Sequence, residues 1–214
     1  IAEKRDLGEK VAASLAKMKN VSIEEHYGNQ KTGYLVVGDD AVTWFRGHMY
    51  SDCKPTEYGY KFGDLKSMPV ILAPDQWKKE INGSDPWYKN QVRIIQGILP
   101  DYDTYVNVGD AEREGQILID EALIQWDIDP FGPNVLRLWS DDLTIEKLTR
   151  AIRDEFPNAE KKTLYDAALA RSWADYEWGM TFTGMMTEFV RMAGGSGIFS
   201  IGRLQMAILR IVAD

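Results

Sequence analysis

Residues 107–123 read NVGDAEREGQILIDEAL, a stretch in which Asp110, Glu112, Glu114 and Arg113 fill four of five consecutive positions. An apolar, strand-like run, TYVNVG, precedes the cluster, and a helix-like run, GQILIDEALIQW, follows it. Like charges this close repel one another, so something positive is expected among them. In an extended Asp-x-Glu the side chains alternate, which puts Asp110 and Glu112 on one side of the strand. Hard divalent cations such as Mg²⁺ favour oxygen ligands and retain several waters. Carboxylates at a strand end are therefore candidates for a Mg²⁺ site of the kind that handles phosphates. The competing reading is a solvated acidic loop.

Working outward, the chain has 214 residues, of which 44% are hydrophobic, enough for a substantial core. It has no apolar run of membrane-spanning length and no basic segment leading into an apolar one at its start, so a cytoplasmic location is expected. One cysteine, Cys53, cannot form an internal disulfide, and two histidines supply a zinc site poorly. A metal here would be held by oxygen. The formal charge of -8 argues against nucleic acid on its own. The acid is uneven, however: residues 101–129 hold nine Asp or Glu against the lone Arg113, and a bound divalent ion would cancel part of that charge.

Along the chain, strand-like and helix-like segments take turns up to about residue 140, the pattern of a mostly parallel sheet covered by helices. IAEK reads as a strand end entering a helix that carries Val11, Leu15 and Met18 on one face. TGYLVVG and AVTWFRG read as a hairpin, and NVLRLW as a later strand. From about 140 the text is helical, with Thr144 at a capping position, a long segment over 164–180 and a last helix from about 200. The expected organisation is an α/β domain over residues 1–150, interrupted by a loop-rich region at about 46–90, and a helical segment over 151–214. The abrupt start and the end inside an amphipathic helix point to a piece of something longer.

The blocks IAEKRDLGEKVA, VTWFRGHM, GDAEREGQ, LYDAALARSWADYEWGM and SIGRLQMAIL, in that order, resemble those of type IA DNA topoisomerases of the topoisomerase III-like branch. VGDAEREGQILIDEAL together with IAEK is similar to the TOPRIM domain, a Rossmann-like Mg²⁺-binding module. The resemblance implies that Glu3 is the acid near the scissile phosphate, moving a proton to or from the leaving 3′-oxygen or helping to hold Mg²⁺, and that Lys4 stabilises charge on the phosphoryl oxygens. It implies Asp110 and Glu112 as principal metal ligands with Glu114 as the third acid. This chain departs from the family pattern at Glu112, where the family has Asp.

The resemblance further implies a groove for single-stranded DNA in the helical segment, with Arg171, Arg203 and Gln205 lining it. Trp173, Tyr176 and Trp178 offer stacking surfaces there, although aromatics at helical spacing more often belong to a core. Residues 163–214 carry four Arg against five acids, so binding would depend on a few placed arginines. Arg113 is read as an internal ion pair, and His48 is given no catalytic role. The implied parent is a bacterial, cytoplasmic, nucleoid- or plasmid-associated, monomeric isomerase that cuts, passes and reseals single DNA strands without ATP. Its nucleophilic tyrosine lies in a downstream segment, and none of the ten tyrosines here has the expected flank, so this chain alone is expected not to cleave DNA. Two other classes use the same residues: a TOPRIM nuclease or primase, and a non-catalytic nucleic-acid-binding module.

Overall fold

A computed structural model describes residues 1–61 and 64–213. The chain is mixed α/β and divides into two compact units, Ile1–Ser51 with Glu80–Ala168, and Asp52–Lys79 with Leu169–Asp214.

In the first unit residues 1–3 form the hub of a parallel ladder. On one side the ammonium nitrogen of Ile1 donates to Val106 O, and the amide of Val108 to Ile1 O, both at 2.9 Å. On the other side the Ala2 and Phe45 amides pair with Thr43 O and Ala2 O, both at 2.8 Å. Ala2 is thus bridged in parallel to both Trp44 and Val108. Strands β1 (Ile23–Tyr27), β2 (Gly33–Val37) and β3 (Asp40–Thr43) form an antiparallel meander. The pairing of Val37 with Asp40 leaves a two-residue turn whose Gly38 has φ +63, a conformation glycine adopts without strain. Leu35 and Val37 alternate inward along β2, as a strand with one buried face requires. Strands β4 (Tyr50–Asp52) and β5 (Lys79–Ile81) form a two-stranded sheet. β6 (Tyr105–Asn107) runs parallel to β7 (Val135–Arg137), and β8 (Phe156–Pro157) is antiparallel to β7.

Helix α1 (Arg5–Lys19) turns Leu7 and Val11 into the core and ends at Asn20, whose left-handed conformation lets its amide close on Ala16 O. α2 (Pro86–Ile98) is started by Asp85, whose carboxylate accepts from the Trp87 amide, with proline in its first turn. α3 (Arg113–Gln125) is buried along most of its length, and α4 (Ile145–Arg153) buries Leu148 and Ala151. Thr144 occupies the expected cap position of α4, but its side chain makes no capping bond; the Asp142 carboxylate accepts the Thr144 amide instead, at 2.9 Å. β1 lies in a stretch that the sequence reading left without an element.

The second unit is built on α5 (Lys162–Met192), whose residues from Leu169 onward belong to it, and on α6 (Arg203–Ala213). The loop-rich stretch 52–79 packs on α5 through a small core of Val70, Leu72 and Tyr176. Backbone amides there are satisfied by α5 side chains: Val70 N by Thr181 Oγ1 at 2.9 Å, and Leu72 N by Glu177 Oε1 at 2.7 Å. Among the described residues no helix is long and apolar enough to cross a membrane.

Candidate functional site

β6 ends at Asn107, and the acidic cluster follows it in a tight loop rather than in extended chain. The Glu112 amide donates to Asp110 O at 2.7 Å, and Glu112 is the residue that opens α3. The alternation argument, which needs extended backbone across 110–112, therefore does not describe how these carboxylates are arranged. A side chain added at Gly109 would collide with the Gly115 carbonyl, and one at Gly115 with the backbone of Asp110. Two glycines thus let the loop lie directly on the start of α3.

Glu3 and Asp110 meet, although 107 positions separate them. The Glu3 carboxylate Oε2 accepts the Asp110 amide at 2.8 Å, and Lys4 Nζ donates to Asp110 Oδ2 at 2.7 Å. This follows from the ladder, which sets residues 1–3 beside residues 106–108 and brings both strand ends out at one edge. The hydrogen bond to Asp110 raises the Lys4 ammonium above its ordinary range, so Lys4 is a firm cation beside the carboxylates. Glu112 is exposed. Glu114 is half-buried, with one carboxylate oxygen 4.0 Å from His48 Nε2. Among the described residues no three Asp, Glu, His or Cys side chains converge as a closed metal cage. The arrangement provides two adjacent carboxylates and a lysine, a donor set that fits a water-rich cation such as Mg²⁺, which takes one or two protein carboxylates and completes its shell with water and phosphate. Arg113 is exposed and enters no ion pair among the described residues, so it does not neutralise its neighbours as read from the sequence.

Beneath the loop lies a buried polar network that the sequence reading missed. Arg137, fully buried, donates Nη1 to the carbonyls of Asn107, Gly109 and Leu138, Nη2 to that of Asp110, and Nε to Gln116 Oε1, all within 2.7–3.0 Å. Gln116 donates in turn to Asp120 and Asn158, and Asp120 also accepts from Asn107 and Asn158. Burial lowers Arg137 to about 10 and raises the Asp120 carboxyl. The available signal was an arginine inside the apolar run NVLRLW, where a cation is buried only with partners.

In the second unit Arg171 and Arg203 converge on one carboxylate. Arg203 donates Nε and Nη2 to Asp175 at 2.7 and 3.3 Å, and Arg171 Nε lies 3.5 Å from the same group, holding the Asp175 carboxyl below its usual range. Gln205 is exposed on α6. Trp173 stacks on Trp77 with ring centres 5.3 Å apart, and Tyr176 is buried with its hydroxyl donating to Cys53 O, so both serve the local core. Trp178 is exposed and lies against Phe182.

No family profile matches the chain. It is 31% identical to the DNA topoisomerase 3 of Haemophilus influenzae and 30% identical to that of Vibrio cholerae, over 99% of its own length in each case. A protein named DNA topoisomerase 1 from Bacillus anthracis is 27% identical over 89% of the chain. The chain spans 31% of the length of the two topoisomerase 3 relatives. By sequence, then, the chain is topoisomerase III-like and matches about a third of the length of such proteins.

Proposed function

We propose that this chain is the TOPRIM-type, Mg²⁺-binding part of a type IA DNA topoisomerase, an isomerase that cleaves, passes and reseals single DNA strands. Residues 1–150 are the TOPRIM domain with its loop-rich insertion at about 46–90, and 151–214 are the helical segment that carries Arg171, Arg203 and Gln205 toward single-stranded DNA. The observation that carries this reading is the meeting of Glu3, Lys4 and Asp110 at the end of the parallel ladder.

In the reaction, a tyrosine hydroxyl attacks phosphorus, the bond to the 3′-oxygen breaks, and the 5′-phosphate stays on the tyrosine; the 3′-oxygen leaves with a proton. The nucleophile is supplied from outside residues 1–214. Glu3 is suited to hold or move the proton at the 3′-oxygen, and Lys4 to offset charge on the phosphoryl oxygens. Glu3 and Asp110, with Glu112 and Glu114 nearby in the chain, are the residues that would hold Mg²⁺. The ion supplies charge neutralisation at phosphate oxygens. The expected partner is single-stranded DNA, the chain acts as a monomer, and its location is cytoplasmic.

Magnesium titration by calorimetry, with and without a single-stranded oligonucleotide, tests this. Saturable Mg²⁺ binding that is lost in Asp110→Asn is expected. Equal binding by the two proteins would overturn the metal assignment, and Mg²⁺-dependent cutting by the chain alone would favour a nuclease.

A further inference from the structure

The hydrogen bonds of Arg137 go to neither Glu3 nor Lys4; its donors are spent largely on the loop that carries Asp110. Three of its five hydrogen bonds go to backbone oxygens of that loop, those of Asn107, Gly109 and Asp110. We propose that Arg137 is the positioning residue of the candidate site: its guanidinium clamps residues 107–110 so that Asp110 stays within reach of Glu3 and Lys4. This inference rests on the Mg²⁺ and phosphate reading of the site.

Arginine suits the task for a geometric reason. Its planar fork presents five donors in fixed directions, so one side chain can span carbonyls along a turning backbone; a lysine offers three donors from a single point. The loop cannot hold itself by regular pairing. Ladder pairing ends at Val108, and the carbonyls of Gly109 and Asp110 beyond it face inward, where they need donors. A buried cation is costly, and an apolar residue of similar size would often stabilise a core at least as well. A fully buried guanidinium aimed at three carbonyls within residues 107–110 is therefore explained by the loop rather than by core packing. The Arg137 fork is itself fixed at its far edge by Gln116, which Asp120 and Asn158 hold. The loop is fastened a second time through Asn107, whose carboxamide oxygen accepts the Gly109 amide at 2.9 Å. Metal ligands are commonly oriented by such outer partners, and loss of one typically costs about 10–100-fold in metal affinity.

The test uses the whole chain, with Arg137→Lys and Gln116→Met, and two readouts: amide hydrogen exchange at residues 109–112 and the Mg²⁺ dissociation constant. In Arg137→Lys, exchange at 109–112 should quicken while amides around Ile119 and Leu148 stay protected, and Mg²⁺ affinity should fall roughly 10-fold or more. Unchanged loop protection and affinity in this variant would overturn the proposal. Should Arg137→Lys fail to fold, Gln116→Met carries the test: it removes the acceptor at the Nε edge together with the two bonds that Gln116 donates to Asp120 and Asn158, and a smaller change in the same direction is expected, with no change overturning the clamp. Absence of saturable Mg²⁺ binding in the unsubstituted chain would sink the metal reading by itself; loop exchange would then still decide whether Arg137 positions Asp110.

Discussion

Lys4 Nζ lies 2.7 Å from Asp110 Oδ2, joining two residues 106 positions apart. The pair is partly exposed on both sides, so it adds little to stability. Its consequence lies in ion binding, since Lys4 and a divalent ion both seek the same carboxylate. Lys4→Met should therefore bind Mg²⁺ several-fold more tightly while losing affinity for a 5′-phosphorylated oligonucleotide, with folding stability changed by less than about 1 kcal/mol. Parallel calorimetric titrations measure both; equal Mg²⁺ affinities would show that the lysine does not compete for Asp110.

Asp175 holds both arginines proposed for the DNA groove. A phosphate must displace that carboxylate to reach them. Asp175→Asn should accordingly raise single-stranded DNA affinity by roughly 2–5-fold and steepen its salt dependence, because the carboxylate that occupies the Arg203 fork is neutralised. Fluorescence anisotropy at two salt concentrations reads both effects, and weaker binding would mean that Asp175 orients the arginines for DNA.

Two helical glycines should respond in opposite ways. Gly115→Ala puts a methyl against the backbone of Asp110, whereas Gly179 in α5 faces open space. Overpacking of the first kind costs about 1–3 kcal/mol, and should lower both Tm and Mg²⁺ affinity. Gly179→Ala should gain about 0.5–1 kcal/mol from the lower backbone entropy of alanine in the unfolded chain. Thermal unfolding of the two variants is the comparison; a neutral Gly115→Ala would mean that the loop can lift from α3 at no cost.

Burial pushes the Glu155 carboxyl up to about 6 from an ordinary 4.5. The folded chain then binds this proton more tightly than the unfolded chain does, so the group favours folding most below about pH 4.5, and that contribution is lost as pH rises through about 6. Glu155→Gln should raise stability near pH 8 by on the order of 1 kcal/mol, after allowance for partial solvent screening, and change it little near pH 4. Denaturant unfolding at the two pH values checks the sign; a variant destabilised at the higher pH would show that the ionised form is well solvated or paired.

Short-range rules account for most of the elements. The apolar period along α1 and the hairpin of TGYLVVG with AVTWFRG are local signals, and both elements are found where they were read. The same rules misjudged the acidic cluster, because alternation presumes extended chain and Gly109 with Gly115 permits a close turn instead. They also overlooked β1, and ended α5 near 180 although it runs to Met192. A helix continues until something breaks it, and α5 runs on to the glycine pair 194–195, where Gly194 is left-handed.

The resemblance of five ordered motif blocks to topoisomerase III-like proteins sufficed, without coordinates, to nominate Glu3, Asp110 and Glu112, since residue types and their order are properties of the strand of text itself. Three-dimensional packing alone decided that Lys4 sits on Asp110, that Asp175 binds both Arg171 and Arg203, and that Arg137 turns inward under the loop. Those pairings depend on which strands lie side by side and on which carbonyls a turn leaves without donors, and neither is written in the spacing of residues along the chain.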